Sequence, residues 1–442
     1  MLVIEDKLKG TNNQYSKLDE AIRTGQFIRN SCLRYWEDNK GVNRNDLQKL
    51  CSRLAKNKET PWASKLNSQA RQAHADRAWA AISRFYENCR LGDAGVRSSP
   101  PDKEAHPKGK PGKKGYPKYK KFNRSVEYKN TGWALSADRK QIAFTDGFKA
   151  GTFELWTSRD LVWYSEKQIK RVRVIRRADG YYAQFLIDWD RQESHEFKGE
   201  IVGIDLGLKE FYTDSNGETV ENPRYFRKSE SRLKKLQRRT SRRRIKGKKQ
   251  SNRYHKARQA LAKQHIKISR QRKDKAVKDA LALVKSKDLI VYEDLKIQNM
   301  VKNHHLAKSL SDASWYLFTQ WLQYFAKIHG TIVIAVPPHN TTIDCSVCGA
   351  RVHKTLSTRT HQCGKCKAVL CRDLNAARNI LAKGLKLLAQ YLNSTRGHLE
   401  TGENIPNAQG QLDRWIADRD IDFLSHLEEL RISNSAENLP ET

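Results

Sequence analysis

The sequence predicts a multidomain α/β protein, and three observations carry that expectation. Short apolar runs at residues 201–207, 288–293 and 331–336 alternate with helical patterns, as strands do in an α/β layer. Two Cys-x-x-Cys pairs, Cys345/Cys348 and Cys363/Cys366, flank fourteen residues and precede Arg372-Asp373-Leu-Asn-Ala-Ala-Arg-Asn-Ile380. Lys and Arg total 84 against 49 acids, a formal charge of +35.

With 442 residues the chain has room for two or three domains. Solubility needs a net charge of only about 2 to 8, so the excess predicts a polyanionic partner, held by phosphate neutralisation. A membrane partner is not expected: no apolar run reaches the roughly 18 residues of a spanning helix, and Met-Leu-Val-Ile-Glu-Asp does not read as a signal peptide. Besides the two pairs, the cysteines are Cys32, Cys51, Cys89 and Cys371. Nothing in the sequence points to secretion, so zinc thiolates in a reducing, cytoplasmic, prokaryotic setting near the nucleoid are expected rather than disulfides. Cys32 and Cys89 fall on apolar helix faces and read as packed core thiols.

Along the chain, the first ninety residues read as mostly helical. Ile28, Cys32, Tyr35 and Trp36 form one stripe, and Ala75, Ala78, Trp79, Ile82, Phe85 and Tyr86 another. Residues 92–121 are rich in Pro, Gly and Lys and mark a basic linker. From 122 to 198, alternating runs broken by Asp146-Gly147 and Asp179-Gly180 predict hairpins in a small antiparallel sheet or barrel, with Arg171, Arg173 and Arg177 on a basic face. Asn216-Gly217 predicts a further hairpin. Residues 227–275 hold 22 Lys and Arg against Glu230 and Asp274. A thin apolar stripe and a break at 247–251 predict two helices in a hairpin, one-sided enough in charge to need a polyanion. Residues 397–442 reverse the sign, with ten acids and three Lys/Arg, and read as a flexible tail with a short helix near 421–430.

Asp205 ends one predicted strand, Glu293 ends another, and Asp373 opens a helix whose Ala377, Ile380 and Leu381 share its face. Any one of these acids alone is more often a turn residue or a cap. Three brought together repel one another unless cations neutralise them, and hard oxygen ligands favour Mg²⁺ or Mn²⁺. Two such ions about 3.5–4 Å apart suit phosphodiester hydrolysis. Four thiolates close a tetrahedral zinc site, which makes it structural. His353 and His361 are the substitute ligands within the loop, and Cys371 is not expected to bind. The knuckle reads either as a nucleic-acid contact or as a staple for the fold.

These motifs carry a resemblance. Gly203-Ile-Asp205-Leu-Gly, Tyr292-Glu293-Asp294-Leu, the four-cysteine knuckle and the Arg372–Ile380 run resemble the OrfB/TnpB family of transposon-encoded proteins, which is similar to compact type V CRISPR effectors. The likeness spans about residues 10 to 393 and includes Lys118-Tyr-Lys-Lys, Arg272-Lys-Asp and residues 354–361. Cys371, where an acid or polar residue is expected, and the acidic tail depart from the pattern.

The resemblance implies an RNase H-like (RuvC) nuclease domain at 199–393 with an inserted zinc knuckle at 341–371, and Asp205, Glu293 and Asp373 as catalytic, metal-binding acids. It implies a β-barrel wedge domain from 1–20 and 110–198, a helical recognition lobe at 21–95, a linker at 96–121 and a tail at 394–442. The implied activity is a divalent-metal-dependent endonuclease guided by RNA from the transposon end, cutting double-stranded DNA beside a short motif, with single strands threaded to the acids and a monomer expected. Arg171, Arg173, Arg177, Arg238, Arg239, Arg242, Arg243, Arg244 and Arg272 are the expected nucleic-acid contacts. Two alternatives stay open: a guided DNA-binding repressor that does not cut, and an unguided transposase or structure-specific nuclease.

Overall fold

The computed structural model describes residues 1–93, 115–156, 160–193, 198–355 and 358–398. Most of the 96–121 linker and nearly all of the acidic tail, including its expected helix, lie outside the described residues. The chain divides into two compact units, Met1–Arg191 and Gln192–Thr442.

The first unit opens with β1 (Leu2–Lys9), in which Leu2, Ile4, Asp6 and Leu8 are buried. Four helices follow: α1 (Asn12–Asp38), α2 (Arg44–Lys56), α3 (Trp62–Lys65) and α4 (Ser68–Asp93). A capping box starts α1: the Thr11 hydroxyl accepts from the Gln14 N–H at 3.3 Å, and the Gln14 side chain accepts from the Thr11 N–H at 2.8 Å. Ile28 and Cys32 of α1 pack in one core with Ala75, Ala78 and Ile82 of α4, as the two apolar stripes predict.

Six strands complete the unit: β2 (Ser125–Tyr128), β3 (Trp133–Leu135), β4 (Gln141–Phe144), β5 (Gly151–Trp156), β6 (Ile169–Arg177) and β7 (Gly180–Ile187). With β1 they form a seven-stranded antiparallel sheet of order β2-β6-β7-β1-β5-β4-β3. The N-terminal strand therefore fills the middle of a sheet whose other strands come more than a hundred residues later. Ala178-Asp179 makes the two-residue β6–β7 turn, and Gly180, at φ +142°, opens β7. Asp146-Gly147 lies in the longer β4–β5 loop, where the Gly147 N–H donates to the Lys65 carbonyl of α3 at 2.7 Å.

One buried group in this core ties stability to pH. His74 of α4 is fully buried, neither ring nitrogen meets a hydrogen-bond partner among the described residues, and a Cβ on Gly25 of α1 would sit 2.1 Å from its Nε2. Burial, and next the nearby Arg77, lower its pKa from 6.5 to about 3. A depressed base means the unfolded chain binds a proton that the folded chain refuses. The stability tied to a neutral His74 is whole above about pH 6.5 and is lost as pH falls toward 3. Between pH 7 and pH 5 the expected loss is about 2 kcal/mol. Denaturant unfolding at both pH values checks this against His74→Leu, which should lack that part of the slope. Identical slopes in the two proteins would reject it.

The second unit is built on a five-stranded sheet. Its strands are β8 (Ile201–Leu206), β9 (Glu210–Asp214), β10 (Thr219–Glu221), β11 (Leu289–Glu293) and β12 (Ile332–Val336), in the order β10-β9-β8-β11-β12. The first three form an antiparallel meander, and β8, β11 and β12 run parallel. Between the meander and β11 come α5 (Tyr225–Arg242) and α6 (Asn252–Ser286), the basic hairpin expected from the charge run. Between β11 and β12 come α7 (Ile297–Met300), α8 (His304–Ala313) and α9 (Trp315–His329). After β12, the short hairpin of β13 (Thr360–Gln362) and β14 (Val369–Cys371) leads into α10 (Arg372–His398).

Strand alternation assigns the two faces of this sheet. Val202, Ile204, Ile290 and Tyr292 pack against α6 and α9, among Ala276, Ala280, Val284, Phe318 and Leu322. Leu289 and Val291 face the other way and pack with Ile380 and Leu388 of α10. The period of two therefore puts Asp205 and Glu293 on the α10 face. No helix among the described residues is long and apolar enough to cross a membrane.

Candidate metal centres

Asp205 and Glu293 lie near the carboxyl ends of neighbouring parallel strands, one position past the Ile204–Tyr292 register pair. Carboxyl ends of parallel strands are where open α/β sheets bind ligands. Asp373 is the second residue of α10. Burial, and then the charges of Glu293 and Asp373, push the Asp205 carboxyl up to about 7, against a weaker opposing pull from Arg372. Asp205 thus feels the charges of the other two. They are less tightly gathered than the cysteines, which among the described residues are the one set of three or more candidate ligands lying within 4.8 Å of one another.

Each acid is held differently. Glu293 is buried, and its Oε1 accepts from the Thr341 hydroxyl at 2.6 Å. Asp373 accepts from Arg372 Nε at 3.1 Å and has Arg359 at 3.6 Å. The donors are all hard oxygens, with no thiolate or imidazole among them. That set fits Mg²⁺ or Mn²⁺ and the relief of a crowded negative charge.

α10 reaches this place by unusually close packing. A Cβ on Gly203 would lie 2.3 Å from the Ala377 carbonyl oxygen, and one on Gly384 would lie 2.3 Å from Val291 Cγ2. Gly203 and Val291 are register partners on β8 and β11, so the helix crosses that pair with a glycine at each contact.

The cysteine cluster repeats one backbone pattern twice. The Cys345 N–H donates to the Ala350 carbonyl at 2.9 Å and the Gly349 N–H to the Cys345 carbonyl at 2.8 Å. Cys363 and Ala368 match the first bond at 2.9 Å, and Lys367 and Cys363 match the second at 3.0 Å. The residue after each pair is left-handed, Gly349 at φ +72° and Lys367 at φ +62°. Cys345 and Cys366 Sγ lie 3.7 Å apart, and Cys348 and Cys363 Sγ 3.6 Å apart. Zn–S bonds of about 2.3 Å in a tetrahedron give edges of about 3.8 Å, so the thiols fit a zinc ion. Backbone N–H groups, that of Cys366 foremost, draw the Cys363 thiol down to about 6. His361 is fully buried and its Nδ1 meets the Lys354 amine; Cys371 is exposed.

Three residues to which the sequence reading gave no role join the two centres. Asn375 accepts from the Ser346 N–H at 2.9 Å and donates to the Asp344 carbonyl at 2.8 Å. Asn379, one turn on, donates to the Thr341 and Asp344 carbonyls at 2.8 and 2.7 Å. Thr341 then reaches Glu293. The asparagines stood in view within the Arg372–Ile380 run, but their partners were some thirty residues away.

The arginines expected to meet nucleic acid fall into two groups. Arg171 and Arg173, with Arg77 of α4, surround the buried Glu127 at 3.0, 2.7 and 2.8 Å. Burial pushes that carboxyl up, but Arg77 and Arg173 outweigh it and hold Glu127 at about 2. Arg177 pairs with Glu5. Arg272 pairs at 2.9 Å with the buried Asp312, which also accepts from the Phe226 and Arg227 N–H groups in the first turn of α5. By contrast Arg238, Arg239, Arg242 and Arg244 are exposed, and Arg243 donates to the Arg253 carbonyl at 3.3 Å.

Comparison with known proteins defines the class. Residues 184–304 match the family model OrfB_IS605, described as a probable transposase, and residues 315–380 match the Cas12f1-like TNB domain. These two matches bear out the resemblance to the OrfB/TnpB family. Among similar curated proteins, one of Streptomyces pristinaespiralis named "Putative RNA-guided DNA endonuclease" is 34% identical over 61% of this chain and 66% of its own length. InsQ of Escherichia coli K12, named likewise, is 30% identical over 50% of this chain and 58% of its own. The chain therefore spans 66% and 58% of the length of these two relatives. A solved Cas12f1–sgRNA–target DNA complex aligns with a TM-score of 0.48 at 16% identity, covering 83% of this chain and 82% of that one.

Proposed function

We propose that this chain is an RNA-guided DNA endonuclease of a transposable element, and that Asp205, Glu293 and Asp373 of an RNase H-like (RuvC) domain bind its divalent cations. Asp205, pushed up to about 7 by burial and then by the charges of Glu293 and Asp373 beside it, carries this reading. The mixed sheet β10-β9-β8-β11-β12, with an antiparallel meander beside a parallel pair, supports it, as do the names of the relatives. Bound there, Mg²⁺ or Mn²⁺ would supply charge neutralisation at a phosphodiester and a more acidic water.

The chain's own residues do the rest. Glu293 is fixed by Thr341 and so keeps its other oxygen for a ligand. Arg372 and Arg359 hold Asp373 and add positive charge beside a bound phosphate. The exposed arginines of α5 would grip guide RNA and heteroduplex through the backbone, leaving sequence to base pairing. In this reading the first unit supplies the β-barrel wedge and the helical recognition lobe, and the partners are a guide RNA from the transposon end and double- and single-stranded DNA. The test is purification of the chain with its copurifying RNA, followed by incubation with matched DNA in Mg²⁺ or in chelator. Cleavage dependent on both RNA and Mg²⁺ is expected. A target that is bound and protected yet left intact in Mg²⁺ would make the chain a repressor, and RNA-independent cutting would make it an unguided nuclease.

The cysteine cluster is assigned to structural zinc, since four thiolates leave no open position. One zinc per chain is expected on release with a thiol-reactive reagent. Cys348→Ser should lower that content and expose residues 341–371 to protease, because metal binding and local folding are one equilibrium. A digestion pattern unchanged by zinc removal would count against the assignment.

A further inference from the structure

A cavity of about 340 Å³ opens in the first unit between α1, α3 and the β4–β5 loop. Phe27, Trp62 and Phe148 wall it. The Phe27 and Trp62 rings meet edge to face with centroids 5.8 Å apart, and Trp62 keeps 42% of its surface exposed. Each of these two rings has a cation one turn away on its own helix: Arg23 precedes Phe27 by four residues, and Lys65 follows Trp62 by three. That spacing puts ring and charge on one face. Both cations are exposed at the cavity, and neither has a carboxylate partner among the described residues. The bond from Gly147 to the Lys65 carbonyl pins this wall in place.

The contrast with the rest of the unit is informative. Arg171, Arg173 and Arg177 each make an ion pair, with Glu127 or Glu5. Arg23 and Lys65 make no ion pair among the described residues and stand beside open aromatic surface. A purely apolar ligand would have no use for the two cations, and a small anion no use for three rings. A nucleotide has both an anionic phosphate and a flat π-face. The volume falls in the range of small-ligand pockets, about 300–1,000 Å³.

We propose that this cavity captures one unpaired nucleotide of a bound polynucleotide, its base against Phe27 and Trp62 and its phosphate held by Arg23 and Lys65. A base within a duplex has both faces stacked, so the occupant is extruded or single-stranded. The buried Thr24 hydroxyl and the Glu20 carboxylate line the same cavity and offer partners to the base edge. Stacking tolerates any base, so the pocket selects for unpaired geometry rather than sequence.

The test uses the full-length chain and short RNA and DNA single strands, each made with normal bases or with abasic positions. Trp62→Ala should weaken binding of the base-bearing strand roughly fivefold or more, leave binding of the abasic strand unchanged, and be largely rescued by Trp62→Phe. Strands carrying 5-iodouracil should crosslink on irradiation to Phe27 or Trp62. A larger effect in the RNA arm assigns the pocket to RNA, and a larger one in the DNA arm assigns it to DNA. Unchanged affinity, equal loss for base-bearing and abasic strands, or crosslinks only elsewhere would overturn the proposal. None of these measurements uses Asp205, Glu293 or Asp373, so failure here leaves the nuclease reading intact, and failure of that reading leaves this one.

Discussion

Asp205→Ala is expected to abolish Mg²⁺-dependent DNA cleavage while leaving RNA binding unchanged. The lost charge stabilisation is several kcal/mol, which at about 1.36 kcal/mol per tenfold is on the order of a thousandfold in rate. The structure adds a second readout that needs no substrate. Without cations the Asp205 carboxyl is disfavoured by burial and by Glu293 and Asp373, so removing it relieves repulsion. The metal-free variant should melt no lower than wild type. With Mg²⁺ the order reverses, because an ion that binds only the folded state stabilises it by mass action, and the variant loses a ligand. Thermal melts with and without Mg²⁺ measure both effects. Persistent cleavage, or an undiminished Mg²⁺-induced rise in melting temperature, would remove Asp205 from the metal centre.

What the sequence made legible was local. The strands at 201–206, 289–293 and 332–336 show as apolar runs, and the knuckle shows as cysteine spacing because ligand geometry restricts it. The α10 contact face could be read because Ala377, Ile380 and Leu381 keep a helical period. Pairing across long separations was not legible. Arg171 and Arg173 read as a bare basic face, yet both pair with Glu127, 44 and 46 residues away. Periodicity alone leaves β1 within a mostly helical first ninety residues although Leu2, Ile4 and Leu8 alternate, and only the resemblance sets residues 1–20 with a barrel. Asp6, buried at 1% exposure, sits on the inward row and broke the apolar pattern. Gly203 sits in the Gly-Ile-Asp-Leu-Gly motif, but a glycine that marks close approach looks the same in sequence as one that marks a turn.

Gly203→Ala tests that close approach, and its effect should rival loss of an acid. The new methyl would meet the Ala377 carbonyl at 2.3 Å and the Leu381 N–H nitrogen at 2.7 Å, both helix backbone. No rotamer change removes such atoms, so α10 must move away from β8. Overpacking of this kind costs about 1–3 kcal/mol. The displacement also carries Asp373 away from Asp205 and Glu293, so cleavage and Mg²⁺-dependent stabilisation should fall together while zinc content stays at wild type.

Gly384→Ala supplies the control. The three atoms nearest its methyl all belong to the Val291 side chain, with Cγ2 at 2.3 Å and Cγ1 at 2.5 Å. Val291 is β-branched and stiff at χ1, so the single variant should be destabilised. Gly384→Ala combined with Val291→Ala should recover much of the loss, because the obstacle itself has been cut back. No side-chain truncation should rescue Gly203→Ala in the same way. Melting temperature, Mg²⁺ response and cleavage of the three proteins distinguish backbone from side-chain obstruction. A Gly203→Ala protein that melts and cuts like wild type would show that α10 does not lie against β8 as described, and the placement of Asp373 would fall with it.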